Sequence, residues 1–139
     1  MATRSKTVEH VGEWKIEVSA ETLEDVFAET ARVIAEAAGT LRGDEPGPWE
    51  HVRVSGSSLT SLLADWANEL LGRSETEQRA YADVRNVAVS VAPTYATISA
   101  EVRGTPVREW LSPLKAATYH GLQLEPQGSG WRGVILFDV

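Results

Sequence analysis

The stretch Trp131-Arg132-Gly133-Val134-Ile135-Leu136-Phe137-Asp138-Val139 decides the fold. Val134 to Phe137 are apolar in succession, so a strand there is apolar on both faces however it is pleated. Such a run predicts a strand buried inside a sheet rather than one at its edge. Working back, residues 126–130 read as a turn and 114–124 as the strand entering it. Residues 84–91 and 95–102 make a second hairpin around Ala92-Pro93, and Gly104-Thr105-Pro106 reads as a break.

The first half carries the helices. Residues 8–18 read as one strand bent around Gly12. Thr22 with Asp25 three residues on is a helix-capping pattern, and Leu23, Val26, Phe27, Ile34 and Ala37 follow on one helical face up to a stop at Gly39. Residues 43–48, rich in Pro, Gly and acids, form a loop, and 49–55 a strand. Ser57 or Ser58 caps a second helix with Leu59, Leu62, Leu63, Trp66 and Leu70 at helical spacing, and Gly72 is its expected end. The class this predicts is α+β: two helices packed on one face of a largely antiparallel sheet of five or six strands. Residues 1–6 read as a flexible tail and 7–139 as a single domain.

Composition excludes several functions. With no cysteine among 139 residues, disulfides, thiolate zinc sites and thiol nucleophiles are absent. No apolar run has the length of a membrane span and the start is polar, so the expected location is the cytoplasm. Thirteen basic against 20 acidic residues leave a net charge of −7, with no basic run. Direct nucleic-acid binding is therefore not expected; a basic protein partner or a divalent cation suits the surface better.

His10, His51 and His120 form no compact ligand pair. His51 reads as a surface residue and His120 as a hydrogen-bonded structural one, while Gly56-Ser57-Ser58 lacks the lysine and spacing of a phosphate loop. The acids say more. Glu9, His10 and Glu13 cluster around Gly12, and Asp138 follows four apolar residues directly before Val139. The Asp138 side chain and the α-carboxylate of Val139 repel unless a cation or a basic group lies between them; the alternative is a frayed end screened by water. Lys115 opens a strand of small and apolar residues, where a lysine ordinarily snorkels.

These residues carry a resemblance. Lys115-Ala116-Ala117-Thr118-Tyr119-His120, a short turn, and a final strand ending in Asp138-Val139 resemble the C-terminal signature of the archease family. Glu9-His10-Val11-Gly12-Glu13 resembles its [DE]-His-Thr-Ala-Asp motif, with Thr22-Leu23-Glu24-Asp25-Val26-Phe27 at the family's distance. Residues 63–71 resemble its second helix. The resemblance implies a non-enzymatic helper of an RtcB-type RNA-splicing ligase, promoting ligase guanylylation and multiple turnover. It also implies a divalent, calcium-like metal ion held by Glu13, Asp138 and the carboxylate of Val139, with Lys115 needed for ligase activation; His10 and His120 are weaker candidates. A general chaperone or protein-interaction module is the alternative function. A small hydrolase using Glu13 and His10 lacks a convincing nucleophile. Three departures stand out: Glu13 replaces the usual Asp, Val11 and Gly12 replace Thr and Ala, and residues 104–114 are shorter and less charged than in typical members.

Overall fold

The computed structural model describes residues 3–10, 13–41, 45–111 and 114–139. In chain order its elements are β1 (Arg4–His10), β2 (Glu13–Ala20), α1 (Leu23–Ala38), β3 (Gly39–Leu41), β4 (Glu50–Gly56), α2 (Leu59–Glu77), β5 (Arg79–Val91), β6 (Ala96–Trp110), β7 (Ala116–Gln127) and β8 (Gly130–Asp138). The α+β class holds, and every strand pairing described is antiparallel. Among the described residues the strands number eight and divide between two sheets. The first runs β1-β2-β8-β7, and in the second β6 pairs with β3, β4 and β5.

The final strand behaves as its composition dictates. β8 lies between β2 and β7, with Val134, Ile135 and Phe137 buried. Ile16 pairs with Ile135 and Trp14 with Phe137, which sets the inner face of the sheet. Gly133 matters by close approach: a Cβ there would meet Leu63 of α2 at 2.9 Å and Val26 of α1 at 3.3 Å. Both helices therefore rest on β8 where it has no side chain.

α1 starts where the capping pattern places it: the Asp25 amide donates to Thr22 Oγ1 at 3.1 Å, and Gly39 caps the far end. α2 is capped by Ser58, whose hydroxyl accepts from the Ser61 amide at 3.1 Å. Each helix contacts strands of both sheets, and each buries a broad arc rather than a narrow stripe. The core between them centres on Trp66 and Phe27, both fully buried. The Trp66 indole N–H donates to the Phe27 carbonyl at 3.0 Å, so its one polar atom is satisfied.

α2 is stitched to both sheets by polar side chains. Arg73 bonds Glu50 of β4 at 3.0 Å, and the Tyr81 hydroxyl of β5 donates to the same carboxylate at 3.1 Å. On the other side Asn68 takes both main-chain groups of Ala117: its carboxamide N–H donates to the carbonyl at 3.0 Å and its oxygen accepts from the amide at 2.7 Å.

Beyond the division into eight strands and two sheets, where one sheet of five or six strands is expected, the backbone departs from the sequence expectations at four points. Residues 8–18 are not one bent strand but the facing arms of β1 and β2, which end on the pair His10 and Glu13; Val11 and Gly12 lie outside the described residues. Arg4, Ser5 and Lys6, read as tail, pair with Ser19, Val18 and Glu17, because an edge strand can be polar and still satisfy its backbone. Gly72 does not end α2; the buried face continues to Ser74, and Gln78 ends the helix at φ 57. Gly104-Thr105-Pro106 is no break either: β6 runs through it, with Thr105 buried and the Gly104 carbonyl accepting from Gly47 at 2.8 Å.

Candidate functional site

The register of the first sheet gathers residues from both ends of the chain. Glu13 opens β2 and Asp138 closes β8, and the two are direct cross-strand partners. His10 pairs with Glu13 on one side, and Ala116 with Asp138 on the other. One row thus crosses all four strands. Cross-strand partners project from the same face with Cβ atoms about 4.5–5.5 Å apart, close enough for two carboxylates to share a ligand. That face is opposite to the one bearing Ile16, Ile135 and Phe137. Glu13 is half-buried, Asp138 exposed, and Val139 half-buried.

Lys115 stands at the same end, exposed, with its amide donating to the Asp138 carbonyl at 2.8 Å. His10 enters the row through its backbone register; its side chain lies outside what is described. His120 does not join the row. The β7–β8 register slips between Thr118 and Gln123, and Gly121 takes φ +69, so the strand bulges and carries His120 away. Among the described residues His120 is exposed without a hydrogen bond, contrary to a structural role, whereas the exposed His51 bonds Ser99 Oγ at 2.9 Å.

Charge is handled differently along this one face. Farther along β2 and β8, Glu17 meets Arg132 at 2.8 Å and Lys15 at 3.5 Å. Burial alone would raise the Glu17 carboxyl, but the two cations outweigh it and hold it below the usual range. Glu13, Asp138 and Lys115 take part in no ion pair among the described residues. Like charges directly opposite one another on adjacent strands are destabilising unless a positive charge compensates them. No group of three or more His, Asp or Glu side chains able to hold a metal occurs among the described residues. The donors here are two side-chain carboxylates, all-oxygen ligands of the kind a hard divalent cation takes.

Two features escaped the sequence. Asn68, mid-helix, carried no signal of its clamp on Ala117, since its neighbours in sequence give no hint of the strand it meets. The second is a cleft of about 550 Å³ beside the carboxylate row. Leu71, Gly72 and Glu75 of α2 line one side, Trp110 and Leu111 at the end of β6 line another, and Lys115 borders it. No helix among the described residues is long and apolar enough to cross a membrane.

Fold and site together define a small α+β domain with helices laid on two antiparallel sheets and an acidic strand end at the meeting of β2, β7 and β8. The profile of the Archease protein family (MTH1598/TM1083) matches residues 6–139, and the chain belongs to that family. It is 25% identical to the protein archease of Methanopyrus kandleri, over 95% of this chain and 96% of that relative. To the protein archease of Methanosarcina acetivorans it is 26% identical, over 95% and 93%. The solution structure of Methanobacterium thermoautotrophicum protein 1598 superposes with a TM-score of 0.79 at 18% identity, covering 97% and 98% of the two chains. The Thermotoga maritima structure, described as an archease and possible chaperone, gives a TM-score of 0.62 at 18% identity, covering 96% of each.

Proposed function

We propose that this chain is a non-catalytic activator of an RtcB-type RNA-splicing ligase, promoting ligase guanylylation and multiple turnover. One observation carries the reading: Glu13 faces Asp138 in register, and Lys115 is tied to Asp138 through its backbone. In this reading Glu13, Asp138 and the carboxylate of Val139 hold a calcium-like or other divalent cation. The ion would supply fixed positive charge at the sheet's end, and the chain's own residues would orient it. Lys115 is free to meet an anionic group of the partner, since no acid of the described chain engages it. The partner is a protein; the acidic surface gives no footing for direct RNA contact.

A guanylate-transfer assay on a purified ligase of this type tests the reading. Wild-type chain should stimulate the ligase, and Asp138→Ala and Lys115→Ala should each remove most of the gain; stimulation by both variants at the wild-type level overturns it. The second reading, a general chaperone or interaction module, is favoured by the description of the Thermotoga maritima relative. It predicts that the chain suppresses aggregation of unrelated denatured proteins and leaves the ligase unchanged.

A further inference from the structure

Gly72 sits inside α2, where glycine costs about 1 kcal/mol relative to alanine. A Cβ built on it meets nothing within 4 Å, so no packing within the described chain calls for its missing side chain. It faces the cleft, whose wall carries Trp110 and Leu111, 43% and 52% exposed. α2 and β7 run antiparallel along their seam: Asp65 meets Tyr119 and Asn68 meets Ala117, which brings Lys115 level with Leu71 and Gly72. Glu75 lies three residues beyond Gly72, about 4.5 Å along the axis. The cleft is thus apolar along its walls, with a cation at one end that makes no ion pair among the described residues, and an acid farther on.

We propose that this cleft is a docking site for a short peptide segment of a protein partner, one that seats a bulky apolar side chain against the bare helix backbone at Gly72 and sets an adjacent acidic side chain on Lys115. Charge complementarity fixes the direction. Lys115 is the one cation among the described lining residues, and Glu75 turns an acid away from the far end. Trp110 and Leu111 bury their exposed faces on the seated side chain, and the absent side chain at residue 72 is what lets the segment approach. The inference stands apart from the ligase reading, since it requires a peptide partner but not a particular one.

The test uses the full chain, isotopically labelled for NMR, titrated with acetyl-Phe-Leu-Asp-amide and with the same peptide carrying Asn for Asp. The expected result is saturable shifts at Trp110, Leu111 and Gly72, with the Asp peptide binding about two- to fivefold tighter, the worth of one exposed ion pair. Lys115→Gln should erase that difference while leaving apolar binding. Gly72→Leu, placed in open space and improving helix propensity, should unfold at or above the wild-type temperature and yet abolish the shifts for both peptides. Shifts that persist in Gly72→Leu, shifts confined to another surface, or equal binding of the two peptides to wild type would each overturn the proposal. Asp138→Ala, which the ligase reading requires to be inactive, should leave the peptide shifts intact, so the two readings fail separately.

Discussion

The outer face of the second sheet and the carboxylate end of the first treat charge in opposite ways. On the second sheet Arg85 meets Glu101 at 3.2 Å and Arg103 meets Asp83 at 2.8 Å, while both guanidinium groups lie over the Trp49 ring, 4.0 and 4.6 Å from its centre. Those four charges have partners within the chain, while Arg53 on the same face makes no ion pair among the described residues. At the end of the first sheet Glu13 stands opposite Asp138, and no described cation reaches either. Both faces are solvent-facing sheet surfaces with charges in register. The chain pairs four charges on the one and, among its described residues, supplies no counter-charge to the facing acids on the other.

The largest expected effect breaks the contrast outright. If the first-sheet end takes a calcium-like cation, then at a hundredfold excess over its dissociation constant the ion should add about 2.7 kcal/mol to unfolding stability. Denaturant melts with and without chelator read this directly, and Asp138→Asn should abolish the gain. Residues appended after Val139 should weaken it with the circular dichroism spectrum unchanged. Next, on the second sheet, Trp49→Leu should cost about 1–2 kcal/mol through the loss of two cation–π contacts, independently of added cation. A cation-dependent cost would show that the two faces are not separate.

A smaller effect lies at the seam of α2 with the second sheet. Burial, with the Glu50 charge beside it, pushes the Tyr81 hydroxyl up to about 12. A raised value in the fold favours the neutral phenol. The contribution is therefore whole below the ordinary tyrosine value of about 10 and is lost as pH climbs through about 12. Ultraviolet titration of the folded protein should show a tyrosine ionising near pH 12 that is missing in Tyr81→Phe, beside Tyr119, which its bond to Asp65 also raises. The variant should lose about 1 kcal/mol of stability below pH 10. The smallest effect sharpens the comparison. In chelator, Glu13→Gln should stabilise the chain by a few tenths of a kcal/mol, about the cost of a like-charged cross-strand pair. Destabilisation there would mean that the acids are already compensated.

Local chemistry made much of this fold legible. The Thr22 cap, the Gly39 stop and the apolar run of β8 each declare themselves within a few residues. The division into two sheets does not, because β2 finds its partner β8 from the opposite end of the chain, and periodicity carries no record of pairing. Gly72 and the Gly104-Thr105-Pro106 stretch misled for the same reason: glycine and proline punctuate isolated segments, but packing around Ser74 and Thr105 overrides them. Of the candidate site, Asp138 was conspicuous as an acid ending an apolar strand. Glu13 was singled out as its partner only through the family resemblance, and the register now sets the two face to face. The cleft was invisible, since Gly72, Trp110 and Lys115 belong to three separate elements.

The clamp of Asn68 on Ala117 reaches beyond the docking of one helix. An outer strand with bare amides is a template on which another chain can add itself, and β7 is the outer strand of the first sheet. By filling both main-chain positions of Ala117, a single carboxamide makes that rung unavailable to a stranger's backbone. The residue that anchors α2 therefore also guards against self-templating, so a chain with Asn68→Leu would be at risk of clumping even where it still folds.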